Sequence, residues 1–145
     1  MTKLSKKEAG FSLMELLIVV AMIGIIASIS MTAFVDAKTA AGKSAAVAQL
    51  RSMYSTQQNY HIQNLRFANI TELAATQNGG YGTVSSNKLS NGRYTYEMVP
   101  TIPTASSLSQ TFTMEANGYD NAQTLKFQIT ERGNITQLLP VVRNW

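Results

Sequence analysis

Two regimes of hydrophobicity divide the chain. From Phe11 to Val35 nearly every position is apolar, and Glu15 is the one acid inside the run. As a helix, 25 residues reach about 37 Å at ~1.5 Å per residue, enough to cross a bilayer. Beyond Asp36 the apolar residues thin out. Ala37, Ala40, Ala41, Ala45, Ala46 and Ala48 follow, and no proline occurs before Pro100, so the helix is predicted to continue. Val47, Leu50, Met53/Tyr54, Gln57 and Ile62/Leu65 recur at three- and four-residue spacing, whereas Lys38, Lys43 and Arg51 fall elsewhere. That spacing predicts one semi-apolar face packed on a small domain, with the helix ending between His61 and Asn64.

After Asn91-Gly92 the period changes to two. RYTYEMV (93–99), QTFTMEA (110–116) and TLKFQIT (124–130) alternate, and NITQLL (134–139) is a weaker fourth strand. Asn117-Gly118 and Arg132-Gly133-Asn134 read as the turns between them. The resulting meander would present Tyr94, Tyr96, Met98, Phe112, Met114, Leu125, Phe127 and Ile129 to the helix. Between helix and strands, residues 65–92 read as connection, with a short helical turn at Ile70–Ala75. Asn69 would cap that turn, and Glu72 follows three residues later. Pro100–Ser109 reads as an exposed link. The predicted fold class is therefore α+β, a long N-terminal helix packed on a small antiparallel sheet of three to four strands.

Charge and composition narrow the function. The formal charge of +4 splits evenly between residues 1–10 and the rest, and the basic residues are scattered. No basic stripe with interleaved aromatics appears, which argues against direct nucleic-acid binding. With no cysteine there is no disulfide, thiolate metal site or cysteine nucleophile. His61 is the one histidine and reads as helix-end packing or surface. No catalytic set, phosphate loop or zinc motif emerges, so neither an enzyme nor a cofactor is expected. Glu115, Asp120 and Asn121, with Glu131 apart, are too thin an acidic group for calcium. The sequons at Asn69 and Asn134 read as chance.

The N-terminus asks why a carboxylate sits where it costs at least ~2.5 kcal/mol in a bilayer. A cleavable secretory signal would have a shorter apolar run and an A-x-A site, and a plain anchor would need no acid. KKEAGFSLMELLIVVAMIGIIASI resembles the leader and first helix of type IV pilins and of the pseudopilins of type II secretion. The shared pieces are a basic leader, Gly10, Phe11, Glu15 four residues on, and Gly24; one departure is Thr32, where the family often has proline.

The resemblance implies several expectations. A prepilin peptidase/methyltransferase cuts between Gly10 and Phe11 and methylates the new amine, and Glu15 pairs with the Phe11 amine of a neighbouring subunit. Residues 1–10 would be the leader, 11–35 the membrane and assembly half of the helix, and 36–64 its amphipathic half. Residues 65–92 would connect, and 93–145 would form the sheet and tail. The partners would be copies of the chain, other pilins and an inner-membrane assembly platform. The protein would sit in the inner membrane and then in an extracellular pilus or periplasmic pseudopilus. The leader's lysines agree, since basic flanks stay cytoplasmic. The filament would serve adhesion, twitching motility, DNA uptake or secretion. A minor pilin or pseudopilin role, or a tethered binding module that never polymerises, remains the alternative.

Overall fold

The computed structural model describes residues 10–120 and 123–139. Residues 1–9 of the expected leader, Asn121 and the tail 140–145 lie outside the described residues. The chain divides into two units, Met1–Lys38 and Thr39–Trp145. Helix α1 (Leu13–Asn64) runs from the first into the second, and its helical assignment is unbroken through Gly24 and Thr32. Its end at Asn64 falls within the expected range.

In the second unit α1 is followed by α2 (Ile70–Thr76), β1 (Thr83–Ser85), β2 (Lys88–Asn91) and β3 (Tyr94–Met98). A helical turn, α3 (Ala105–Leu108), leads to β4 (Thr113–Asp120), β5 (Gln123–Thr130) and β6 (Ile135–Leu139). The strands form one six-stranded antiparallel meander in sequence order. The sheet is wider than the three to four strands expected, because β1 and β2 arise inside the segment read as connection. With three and four residues, they are too short to establish a period.

The inner face of the sheet is built in rows. Leu89, Tyr96, Ala116 and Phe127 are opposite one another, as are Met98, Met114 and Ile129. All of these are buried, together with Ala46, Leu50 and Met53 of α1. The eight residues expected on this face are all in the core. A third row joins Tyr94, Gly118 and Leu125.

That row corrects the reading of Asn117-Gly118 as a turn. Both residues lie inside β4, which runs on to Asp120, and β5 begins at Gln123. A Cβ on Gly118 would collide with the Tyr94 ring, so this glycine makes room for an aromatic. Gly92, by contrast, does serve a turn. The Asn91/Tyr94 pair closes a two-residue link in which Gly92 takes φ +59, the left-handed conformation that a type II′ hairpin needs first.

On the outer face Glu97 and Glu115 are direct cross-strand partners, a repulsive pairing. Lys88 Nζ approaches Glu97 at 2.8 Å and Lys126 Nζ approaches Glu115 at 2.7 Å. Asn117 donates to Glu97 at 2.7 Å. Each acid thus has its own cation, and Glu115 is committed to Lys126 although it is nearly buried. Among the described residues no three metal-ligating side chains come together.

The α1–α2 corner rests on two polar devices. Gln57 is fully buried, yet its amide donates to Ala68 O at 2.8 Å and accepts from Ala68 N at 2.7 Å, so neither side is unsatisfied. The cap expected on α2 is present in full: Asn69 accepts from Glu72 N, and Glu72 accepts from Asn69 N, both at 2.9 Å. Glu72 also takes two bonds from Arg66, at 2.6 and 2.8 Å. Hydrogen bonding to Arg66 is the main cause that holds the Glu72 carboxyl down to about 2.

Three further expectations meet a different geometry. Ile62 and Leu65, read as the end of the core stripe, are exposed; the packing there comes from His61, whose ring stacks on Phe67 with centroids 4.5 Å apart. The Pro100–Ser109 link is mostly exposed but anchors through buried Leu108, whose carbonyl accepts from Phe67 N. Within that link Ser106 and Ser107 lie in α3. Residues 77–82 are pinned to α1 through Tyr81, whose hydroxyl lies 2.6 Å from Thr56 Oγ1 and whose carbonyl accepts from Gln49.

Candidate assembly segment

The first unit is described by itself. Gly10, Phe11 and Ser12 precede α1, and the Ser12 carbonyl accepts from both Glu15 N and Leu16 N, closing the first turn. Gly10 has no atom within 4 Å of a Cβ built on it, so the expected cut site is open backbone. Phe11 is 76% exposed, and Glu15 is exposed in the first turn. Gly10, Phe11 and Glu15 thus all lie at the open start of one helix.

Glu15 gains something from its place alone. A carboxylate in the first turn meets the positive end of the helix dipole, worth about 0.3–1 kcal/mol. That is short of the ~2.5 kcal/mol or more that a charge costs within a bilayer. The balance calls for a cation, and the apolar run from Phe11 to Val35 contains none.

The rest of the segment carries apolar side chains on every side. Leu16, Ile18, Val19, Val20, Ile23 and Ile25 are between 46% and 63% exposed, and Met31 and Phe34 are 65%. A helix apolar all round is built for a membrane or a protein interior rather than for water. Its length and composition suffice to cross a membrane. Ser28 and Ser30 add no exposed donor, because Ser28 Oγ donates to Ile25 O and Ser30 Oγ to Ile26 O. Burying ten or more such side chains is worth on the order of 20 kcal/mol, at ~1.5–3 kcal/mol each. Nothing within the first unit buries them.

Residues 5–31 match the family model described as the prokaryotic N-terminal methylation motif. Over 84 residues the chain is 32% identical to the type IV major pilin protein PilA of Myxococcus xanthus (strain DK1622). The chain thus carries the N-terminal methylation motif and is similar to a type IV major pilin over part of its length. The matched stretch is 56% of this chain and 38% of the Myxococcus protein, so the chain spans under half the length of that relative. No solved structure gives a significant match. The antiparallel sheet packed on a long N-terminal helix is pilin-like.

Sequence reasoning placed the N-terminal segment but missed the exposed pole at Ile62 and Leu65 and the Tyr81 anchor. For Tyr81 the only signal was an aromatic in a glycine-rich stretch. For the pole there was none, since its residues continue the helical spacing.

Proposed function

We propose that this chain is a filament subunit of a type IV pilus or pilus-like fibre, cut between Gly10 and Phe11 by a prepilin peptidase. The same enzyme methylates the new Phe11 amine. The observation that carries this is the exposed acid in the first turn of a helix that is apolar on every face. As the subunit leaves the bilayer, the apolar run is buried among copies of itself. Glu15 then takes the Phe11 amine of a neighbour, supplying the cation its own segment lacks. Opposite charges at ~4 Å in a poorly solvated setting interact by several kcal/mol, which offsets the desolvation of both.

The processed subunit is held by the inner-membrane assembly platform and then passes into an extracellular pilus, where it serves adhesion, twitching motility, DNA uptake or secretion. Thr32 at the family's frequent proline position favours a second reading, a minor pilin or a pseudopilin in a periplasmic fibre. Mass spectrometry of sheared surface filaments separates the two. An abundant peptide starting at methylated Phe11 supports the main subunit. Its absence from the fibre, with secretion dependent on the gene, supports the pseudopilin. A membrane-tethered module that never polymerises would give no filament at all and would tolerate loss of Glu15.

A further inference from the structure

Three Asn-Gly pairs occur in the chain, at 78–79, 91–92 and 117–118. Such a pair is able to modify itself. The backbone nitrogen of the glycine attacks the asparagine Cγ, a cyclic imide closes and ammonia leaves. Water then opens the ring to aspartate or isoaspartate. Glycine is the permissive neighbour, because no side chain crowds its nitrogen. By sequence the three sites are alike. In the folded chain they differ in what each glycine nitrogen already bonds.

Asn78 follows α2 in the left-handed conformation, φ +49, and Gly79 N donates back to Ala74 O at 3.2 Å. With Asn78 N on Ala75 O, this closes the helix in a Schellman motif, so that nitrogen is already committed. Asn117 and Gly118 lie in β4 between β3 and β5, where the ladders occupy the backbone groups. The Asn117 amide also donates to Glu97 at 2.7 Å. Asn91 and Gly92 are placed differently. Asn91 pairs with Tyr94 across the hairpin, and Gly92 lies in the link between them, outside the ladder. Both Asn91 and Gly92 are exposed, and a Cβ built on Gly92 has no atom within 4 Å. Among the described residues nothing accepts from Gly92 N. The Asn91 amide is held at the surface by its bond from Nδ2 to Gln49 Oε1, 2.8 Å.

We propose that Asn91 is a self-modification site. Gly92 N closes on Cγ, ammonia is lost and one water is taken up, leaving aspartate or isoaspartate at the head of the β2–β3 hairpin. This stands whether or not the chain forms a filament. The product changes a tie as well as a charge. Gln49 reaches two ways, accepting from Asn91 and donating through Nε2 to Tyr81 O at 2.7 Å. A carboxylate has no proton to give Gln49 Oε1. If the Gln49 amide turns to offer Nε2 to the new carboxylate, Tyr81 O loses its donor. Either way, one of the two links that Gln49 makes from α1 is lost. Isoaspartate also adds a methylene to the backbone at the Asn91/Tyr94 pair, which no longer matches the ladder spacing.

The three pairs fall in separate tryptic peptides, 67–88, 89–93 and 94–126, so one digest reads all of them. The full chain is aged in detergent micelles in mildly alkaline buffer made with heavy-oxygen water, then digested briefly in ordinary water. Fragment ions locate the label and tell isoaspartate from aspartate. Label should enter Asn91 first, with Asn78 about tenfold slower, the factor that one intramolecular hydrogen bond is worth. Asn117 should stay unlabelled as long as the sheet holds. The chain in denaturant should label all three at comparable rates. Equal rates in the folded chain, or label at Asn78 or Asn117 ahead of Asn91, overturn the proposal. So does an unlabelled Asn91 where the denatured chain is labelled. A denatured chain that keeps the folded order assigns the preference to local sequence and refutes the structural argument. Asn91→Asp carries the product's charge on an unaltered backbone. Its amides in residues 79–91 should exchange with solvent several-fold faster than those of the wild type, and unchanged exchange refutes the link through Gln49.

Discussion

Replacing Gln57 by Met isolates the value of one buried hydrogen-bonded pair. The side chains are of similar size, so little cavity forms, and the change removes both partners of Ala68. Ala68 is fully buried, so water cannot take their place. A buried donor or acceptor left unpaired costs about 1–3 kcal/mol. Two of them cost about 2–6 kcal/mol, and burying a thioether in place of an amide returns ~1–2 kcal/mol. The expected net loss is about 2–4 kcal/mol. For a unit of roughly a hundred residues this lowers the melting temperature by about 8–32 °C, at ~4–8 °C per kcal/mol. The assay is thermal unfolding of the full chain in detergent micelles, followed by near-ultraviolet circular dichroism of the core tyrosines. Gln58→Met is the internal control, because Gln58 is only partly buried and makes one long bond, 3.3 Å, to Glu131 O. It should change stability by no more than about 0.5 kcal/mol, as surface substitutions do. If Gln57→Met and Gln58→Met behave alike, the Gln57–Ala68 pair does not hold the corner and the reasoning fails.

Glu72 gives a pH signature. Its carboxyl lies lower in the folded chain, about 2, than its ordinary 4.5, so its contribution is complete above pH 4.5 and is lost as pH falls toward 2. The melting temperature of the wild type should drop more across that window than that of Glu72→Gln, and parallel pH curves would contradict this. Gly118→Val drives a side chain into the Tyr94 ring and should cost about 1–3 kcal/mol, as overpacking does. Adding Tyr94→Leu should recover part of that loss in a double-mutant cycle; strict additivity would show that the two residues do not meet. Glu15→Gln should leave a membrane-inserted subunit that is made at normal levels but yields no filaments. Normal filament yield from that variant would refute the pairing of Glu15 with a neighbour's amine.

The parts of this chain that the sequence determined by itself are those whose physics is local. The apolar run from Phe11 to Val35 needs no partner to reveal its kind, because hydropathy and length are sums over neighbours in sequence. The capping box of Asn69 and Glu72 closes within four residues, so its spacing alone predicted it. The alternation in residues 93–99 and 124–130 named the buried face, and the opposite positions already held Glu97 and Lys126.

Tertiary structure decided what depends on residues distant in the chain. Gly118 looks like a turn until Tyr94 is found lying on it from the neighbouring strand. Ile62 and Leu65 keep the helical period, yet the sheet has ended beneath them and His61 and Phe67 fill the last layer. β2 is a strand because β3 offers it an edge, β1 pairs on β2 in turn, and Tyr81 ties the chain before them to α1. Their seven residues hold too little pattern to say so. A hydrophobic residue announces that it gains by burial, but only the packed chain decides what is there to bury it.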